Sequence, residues 1–186
     1  MKPGIEIQGG EKKGTKIRVP SGIRPTQSLL KRSLFDRLGR WIVGKSVLEL
    51  FAGSGAVGFE ALSRGAKSVV FVDKSWKSVQ TIKSNGEKLG YTDRIIVIKK
   101  SVPRAIKDFS LQGEKFNFIF ADPPYDLKNI KKVLDDITLI LENEGIFVLE
   151  IRKNIGAPEI QGLNIDKEVT LGDSKIVFYS HISGLL

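Results

Sequence analysis

Two spacings of hydrophobic residues alternate along most of this chain. Short apolar runs typical of buried strands predict strands at 46–50, 68–73, 94–99, 116–121 and 145–151. Between them, apolar residues recur at helical spacing and predict helices at 57–64, 76–89, 103–109 and 129–141. In the last of these, Ile130, Val133 and Ile137 fall on one face. Strands that alternate with helices form right-handed βαβ units, so the pattern predicts an α/β fold around a parallel sheet.

The N-terminal segment departs from this alternation. Residues 5–7 and 16–19 alternate apolar and polar side chains on either side of Gly9-Gly10, which predicts a β-hairpin. A helix follows from Pro25 onward, with leucines on one face. We therefore expect a hairpin and a helix to precede the sheet.

The C-terminal segment also breaks the pattern. Residues 165–171 and 174–182 are two strand-like runs joined at Gly172, and no helical stretch lies between them. This arrangement predicts an antiparallel hairpin added to one edge of the sheet. We expect one sheet domain, residues 46–186, preceded by an extension, residues 1–45.

The basic charge of the chain is concentrated in that extension. The 186 residues carry a formal net charge of +9, and residues 1–45 hold 11 basic and 3 acidic side chains against 19 and 18 in the remainder. A basic arm favours a polyanionic partner, although a solvated arm without a target has the same composition. The predicted phosphate contacts are Lys12, Lys13, Lys16, Arg18, Arg24 and Arg32.

Composition excludes several kinds of chemistry. The chain has no cysteine, which rules out disulfides, thiolate metal sites and a cysteine nucleophile. Its only histidine, His181, cannot form a multi-histidine metal site, so no metal is expected. No apolar run is long enough to span a bilayer, and we expect a cytoplasmic monomer. Trp41 and Trp76 lie at helical core spacing, which predicts that both pack inside the protein and that neither stacks on a base.

A glycine-rich turn follows the first strand of the sheet domain. Gly53, Gly55 and Gly58 satisfy G-x-G-x-x-G, and Asp73 stands twenty residues after Gly53 at the end of the second strand. Glycines allow a ligand to approach the backbone, and the acid can accept hydrogen bonds from ribose hydroxyls. Glu49 lies just before this turn, where a carboxylate suits a cationic ligand and repels a pyrophosphate. The combination favours S-adenosylmethionine, which carries a sulfonium and an ammonium, over a dinucleotide.

The second candidate site is Asp122-Pro123-Pro124-Tyr125, directly after an apolar strand. Prolines lack backbone donors and stiffen the turn, so carbonyl groups and the Asp122 carboxylate remain as acceptors, with Tyr125 as a stacking surface. If Asp122 and the Pro123 carbonyl each accept one hydrogen of an exocyclic base amine, the nitrogen is held with its lone pair towards a methyl donor. A base inside a duplex cannot reach such a turn, so the substrate must be single-stranded or flipped out.

Together these motifs resemble those of S-adenosylmethionine-dependent amino-methyltransferases. The chain also carries Arg24-Pro25-Thr26, the continuation from Glu60 to Ala66, Asn85 and Leu171-Gly172-Asp173. With these residues the likeness extends over nearly the whole chain, and it is to the bacterial small-subunit ribosomal RNA guanine-N2 methyltransferase family.

That resemblance implies a fold and a reaction. The fold would be a Rossmann-like, mostly parallel seven-stranded sheet, and the reaction methyl transfer to a guanine amine of 16S ribosomal RNA in an assembling small subunit. The catalytic residues would be Asp122, Pro123, Pro124 and Tyr125. The cofactor contacts would be Glu49, Phe51, Ala52, Gly53, Ser54, Gly55, Asp73, Lys74, Ser101, Val102, Asp122, Arg24 and Thr26.

The sequence departs from the family at two of these positions. The family usually has an aspartate facing the cofactor adenine after the third strand, where this chain has Ser101. It also usually has aspartate before the glycines, where this chain has Glu49, which is longer by one methylene.

Four other functions remain open from the residues. A DNA adenine amine methyltransferase shares the amine-binding motif but usually carries a large target-recognition region. A protein-glutamine methyltransferase typically has Asn at the position of Asp122. A nicotinamide-dependent oxidoreductase fits the glycines and Asp73. The fourth is an RNA-binding module that keeps the fold without catalysis.

Overall fold

The computed structural model describes residues 4–20, 28–124 and 130–181. Two short strands form the N-terminal hairpin, β1 (Ile5–Glu6) and β2 (Lys16–Ile17). The other strands are β3 (Ser46–Leu50), β4 (Ser68–Asp73), β5 (Ile95–Lys99), β6 (Phe116–Ala121), β7 (Leu141–Arg152), β8 (Leu163–Leu171) and β9 (Ser174–His181). The helices are α1 (Ser28–Leu38), α2 (Ala56–Ser63), α3 (Trp76–Leu89), α4 (Val102–Gln112) and α5 (Ile130–Asp135).

The sheet confirms the predicted fold class. Seven strands lie in the order β5-β4-β3-β6-β7-β9-β8. The first five strands of this order are parallel: β3 pairs with β4 and β6, β4 pairs with β5, and β6 pairs with β7. Strand β9 runs antiparallel to both β7 and β8, so the C-terminal hairpin closes one side of the sheet as predicted. The N-terminal hairpin is present as well, with Ile5 opposite Ile17.

The predicted helix at 129–141 was too long. Helix α5 ends at Asp135, a 3-10 turn covers Asp136–Leu139, and Leu141 already pairs with Phe116 at the start of β7. Ile137 and Ile140 are fully buried in the resulting turn. Apolar residues at this spacing can be buried in either conformation, and here pairing with β6 decides the outcome.

Helices cover both faces of the sheet and bury two cores. On one face, α1, α2, α3 and the hairpin pack together, with Ile5, Ile17 and Leu34 in the same core as Phe118. On the other face, α4 and α5 cover a second core. The hairpin therefore shares a core with the sheet, while the division into residues 1–45 and 46–186 stays a prediction.

The two tryptophans differ in burial. Trp41, in a 3-10 turn at Gly39–Ile42, is half-buried and packs against the first core. Trp76 is 58% exposed, so the prediction that it packs inside the protein was wrong. It is the first residue of α3 and lies beyond the end of β4, where the sheet offers no surface to pack against.

No helix in the described ranges is long and apolar enough to cross a membrane.

Candidate active site

The two candidate motifs follow adjacent strands. Leu50, the last residue of β3, is the register partner of Ala121, the last residue of β6. From β3 the chain continues to β4 on one side of the sheet, whereas β6 lies on the other side, so the order reverses between β3 and β6. In α/β sheets a ligand binds in the crevice outside the carboxyl ends of the strands at such a reversal. The glycine turn and Asp122 therefore follow adjacent strands at the position where α/β sheets form such a crevice.

The turn after β3 is tightly constrained. Phe51, Gly53 and Gly55 have φ angles of 56°, 55° and 75°, and a left-handed conformation is uncommon for a residue with a side chain such as Phe51. The Ala52 N–H donates to the Val72 carbonyl at 3.1 Å. This hydrogen bond ties the turn to the neighbouring strand β4.

Gly58, the third glycine of the motif, serves packing. A Cβ built on it would lie 2.4 Å from the Phe71 ring, which shows how closely α2 approaches β4. Its role is to let the helix lie against the sheet, and the first two glycines shape the turn.

Asp73 fixes this turn from the neighbouring strand. One carboxylate oxygen accepts the Gly53 N–H at 2.8 Å, and the other accepts the Ser75 N–H at 2.7 Å. Each carboxylate oxygen has a second lone pair, so the half-buried group can still accept hydroxyl donors from a ribose. The side chain therefore orders the turn, and its predicted contact with ribose hydroxyls stays a prediction.

Glu49 lies beneath the turn. The residue is only 3% exposed, and its carboxylate accepts the Gly58 N–H at 2.7 Å and the Val57 N–H at 3.4 Å, at the start of α2. Burial raises the pKa of Glu49 to about 8, with the two N–H donors and Lys31 opposing the shift and Asp122 adding to it. The carboxyl group caps α2, and a cation close to it would lower its pKa and so increase its ionised fraction.

The second motif lies beside the first. Asp122 is half-buried, Pro123 is buried and Pro124 is exposed, so the described part of the turn runs from the sheet to the surface. Asp122 is close enough to Glu49 to raise its pKa. Tyr125, Arg24 and Thr26 lie outside the described residues, and their predicted roles stay predictions.

The remaining predicted cofactor residues are distributed along the same edge. Ser54 is buried, and its carbonyl accepts the Asn85 side-chain N–H at 3.1 Å. Lys74 is exposed just after β4. At the end of β5, Ser101 is exposed and Val102 is buried at the start of α4. All four residues follow the carboxyl ends of neighbouring strands, and their predicted contacts with the cofactor stay predictions.

A buried ion cluster attaches the N-terminal hairpin. Glu60 of α2 is fully buried; its two oxygens bind Lys31 Nζ at 3.0 Å and Arg64 Nε at 2.8 Å. The same carboxylate accepts the Gln8 N–H at 2.8 Å, and Lys31 donates to the Glu6 carbonyl at 2.8 Å. Burial lowers the pKa of Lys31, and the Glu60 carboxylate opposes that shift. One carboxylate therefore joins the hairpin, α1 and α2.

Sequence reasoning missed this cluster as such. It used the stretch from Glu60 to Ala66 only as a family likeness, whereas Glu60, Ser63 and Arg64 lie at i, i+3 and i+4 on one helical face. Polar side chains at this spacing in an otherwise apolar helix were the available signal. The role of Lys31 could not be predicted from the sequence. A lysine among the leucines of α1 becomes significant only when the fold places Glu60 of α2 next to it.

The tip of the hairpin lies at the amino-terminal edge of the sheet. The Glu11 and Lys12 N–H groups donate to Ser63, the last residue of α2, at 2.8 and 2.9 Å. The Tyr91 hydroxyl, shortly before β5, donates to Glu11 at 2.8 Å. The tip is thus at the edge opposite to Asp122.

The predicted RNA-contact residues occupy different environments. Lys13, Lys16 and Arg18 are exposed, while Lys12 is half-buried with its Nζ 5.7 Å from the Tyr91 ring centroid. Arg32 is exposed on α1 and pairs with Asp36 at 3.7 Å. Within the described residues there is no cluster of acidic or histidine side chains that could hold a metal ion.

Asn85 connects the hairpin to the glycine turn. Its side-chain oxygen accepts the Arg18 N–H at 2.8 Å, and its nitrogen donates to the Arg18 carbonyl at 3.0 Å as well as to Ser54. The family likeness included this residue without a role, and the structure gives it one.

Comparison with known proteins agrees with this geometry. The model of the family described as Conserved hypothetical protein 95 matches residues 5–180. A Bacillus subtilis protein, YlbH, named as a candidate rRNA methyltransferase, is 35% identical over 180 residues, 94% of this chain and 98% of that one. Ribosomal RNA small subunit methyltransferase D of Buchnera aphidicola is 30% identical over 178 residues, 92% of this chain and 87% of that one.

Solved structures share the fold. The Escherichia coli protein yhhF, titled as a candidate methyltransferase, has a TM-score of 0.85 at 27% identity, over 96% of this chain and 98% of that one. SMU.776, a candidate methyltransferase solved with S-adenosylhomocysteine, has a TM-score of 0.70 at 17% identity, over 85% of this chain and 50% of that one, and supports the fold alone. With a family model covering almost its entire length and relatives of this similarity, the chain belongs to the Conserved hypothetical protein 95 family of rRNA methyltransferases.

Proposed function

We propose that the protein transfers a methyl group from S-adenosylmethionine to the exocyclic N2 amine of a guanine in 16S ribosomal RNA during small-subunit assembly. The observation that carries this proposal is the juxtaposition of the glycine turn with Asp122-Pro123, since their strands pair directly at Leu50 and Ala121. An amine held at one motif is within reach of a donor held at the other.

The residues of the crevice fit this donor. Asp73 has lone pairs for the ribose hydroxyls, and the left-handed backbone from Phe51 to Gly55 opens a path for a ligand beside it. When bound, S-adenosylmethionine supplies an electrophilic methyl group on a positively charged sulfur. The buried carboxyl of Glu49 is ionised more readily beside such a charge, which favours the cationic donor over its neutral-sulfur product.

Asp122 and the Pro123 carbonyl hold the amine. Each accepts one N–H of the guanine NH2 group, which fixes the nitrogen and directs its lone pair to the methyl carbon. The new N–C bond forms as the C–S bond breaks, and the methylated nitrogen then releases one proton. Asp122 need not be a strong base, because a cationic methylated amine is acidic.

The decisive experiment measures methyl incorporation and maps the modified base by mass spectrometry. Protein-free 16S RNA, immature 30S particles, DNA and a release factor are compared as acceptors. We expect label in a guanine of the ribosomal RNA; label only in DNA or protein, or none, contradicts the proposal.

The variant Asp122→Ala is compared with a matched control, Glu144→Ala. The control also removes a carboxylate, but an exposed one near the start of β7, at the edge of the sheet opposite to Asp122. We expect Asp122→Ala to reduce methyl transfer by about 100-fold or more, as for loss of one preorganised group at a reacting centre, with RNA affinity nearly unchanged. Glu144→Ala should leave both unchanged. Full activity of Asp122→Ala would refute the amine-holding mechanism.

A further inference from the structure

A second concentration of positive charge lies outside the N-terminal extension. Residues 74–107 contain nine basic and two acidic side chains, whereas residues 46–73 and 108–186 together contain ten basic and sixteen acidic ones. The near balance of the sheet domain as a whole conceals this segment. It folds as α3, β5 and the first half of α4. Lys88 and Arg94 of this segment contact the hairpin at the amino edge, whereas Lys74, Lys77 and Lys99 lie at the carboxyl edge, beside the crevice, and make that part of the edge positive.

Trp76 lies in this region at the carboxyl edge of the sheet. Its side chain is 58% exposed, and Lys99 Nζ is 5.4 Å from the ring centroid. Lys99 ends β5 as the register partner of Asp73, and Lys77 is exposed in the first turn of α3. We call Trp76, Lys77 and Lys99 the Trp76 surface.

The other tryptophan shows what is distinctive about this surface. Trp41 also has a lysine over its ring, with Lys45 Nζ at 5.2 Å, but it is half-buried against the core. It precedes β3, at the amino edge of the sheet. A cation over an indole ring is thus common to both residues, while exposure at the edge that holds Asp122 is specific to Trp76.

An exposed indole flanked by lysines matches the chemistry of an unpaired nucleotide. Bases stack on aromatic rings irrespective of sequence, and lysines beside the ring attract the flanking phosphates. The surface lies on the β4 side of the crevice, two strands from β6, which corresponds to about 10 Å at the usual strand spacing. Neighbouring nucleotides of one strand can span such a distance.

We propose that the Trp76 surface binds an unpaired nucleotide of the RNA substrate, with the Trp76 ring stacked on its base and Lys77 and Lys99 beside its phosphates. This inference rests on the proposed function, because it assigns a second contact region to the same RNA. It adds a base-stacking contact at the carboxyl edge to the phosphate contacts expected from the hairpin.

Tryptophan fluorescence tests the proposal directly, because the chain has two tryptophans. In Trp41→Phe the remaining emission comes from Trp76, and in Trp76→Phe it comes from Trp41. We expect protein-free 16S RNA and a short single-stranded oligoadenylate to quench Trp41→Phe strongly and Trp76→Phe weakly. A perfectly paired RNA duplex should quench Trp41→Phe much less than the single strand does.

Affinity measurements separate this inference from the proposed function. Trp76→Ala should weaken binding of 16S RNA by about tenfold, and Trp76→Phe should retain most of it because the smaller ring still stacks. Calorimetric binding of S-adenosylhomocysteine should be unchanged in both variants. Asp122→Ala should show wild-type quenching although its methyl transfer is strongly reduced.

Three results would overturn the inference while the proposed function stands. One is unchanged RNA affinity and quenching in Trp76→Ala together with normal guanine methylation. The second is weaker binding of S-adenosylhomocysteine, which would place the ring against the cofactor. The third is a loss confined to 30S particles with naked RNA unaffected, which would assign the surface to a ribosomal protein.

Discussion

The two basic regions of this protein are built in different ways. The N-terminal hairpin is attached through a buried carboxylate, Glu60, and its lysines project from a backbone that is hydrogen-bonded to α2. The Trp76 surface consists of exposed side chains at strand and helix ends. The hairpin's position depends on buried ionic chemistry, whereas the position of Trp76 depends on the sheet itself.

Their locations differ as well. The hairpin tip is at the amino edge, near Ser63 and Tyr91, and Trp76 is at the carboxyl edge, near Asp73. An RNA that contacts both regions must extend from the amino edge to the carboxyl edge of the sheet, which is the length of the strands, about 17 Å for five residues. The comparison therefore predicts that damage to one region should leave the contact made by the other intact.

The largest effect is expected from Glu60→Ala. The substitution leaves Lys31 buried without its carboxylate partner and removes the acceptor of the Gln8 N–H, which should lower the free energy of unfolding by about 3–5 kcal/mol. Denaturant titration against wild type and Glu144→Ala measures this loss. Under conditions in which the variant is folded, RNA should still quench the fluorescence of Trp76. A decrease in the free energy of unfolding of less than about 1 kcal/mol would contradict the role of Glu60 in attaching the hairpin.

The hairpin lysines come next. The triple variant Lys12→Ala, Lys13→Ala and Arg18→Ala should weaken RNA binding by about tenfold or more and lower the slope of log affinity against log salt by about 2 to 3. Binding isotherms at several salt concentrations measure the slope. S-adenosylhomocysteine binding is the control, and an unchanged slope would mean that these side chains are solvated and contact no phosphate.

The smallest effect concerns Glu49, beneath the glycine turn. Since the pKa of Glu49 is about 8 and a cationic ligand favours its ionised form, binding of S-adenosylmethionine should release a proton. Its affinity should rise with pH by up to about tenfold per unit and level off above pH 8. Glu49→Gln should remove the dependence, and S-adenosylhomocysteine, which lacks the sulfonium charge, should show less of it.

The same carboxyl affects stability with a definite sign. A raised folded-state pKa means that the folded chain keeps a proton that the unfolded chain has lost, so this contribution is present at low pH and declines as pH rises from about 4.5 to about 8. Thermal unfolding of wild type and Glu49→Gln across this range measures it. A wild-type contribution that increases with pH would show that Glu49 is held ionised.

Sequence reasoning predicted the central strands well and the tertiary contacts poorly. The strands at 46–50, 68–73 and 116–121 were predicted to the residue, because each is an apolar run bounded by charged or turn-forming residues. The glycine turn and Asp122 follow from those strands. By contrast, Trp76 was assigned to packing because helical periodicity does not report where the sheet beneath a helix ends.

The local sequence pattern therefore determined how strands and helices follow one another along the chain, which residues end the central strands, and that positive charge is in excess near the N-terminus. Tertiary structure alone decided that Glu49 turns to α2, that Glu60 joins the hairpin to Lys31, and that Asn85 links Arg18 to Ser54. The reason is physical. Periodicity and turn chemistry act between residues close in the chain, whereas burial of a charge or an amide is stabilised only by partners that folding brings to it, from 8 residues away for Glu49 to 67 residues away for Asn85.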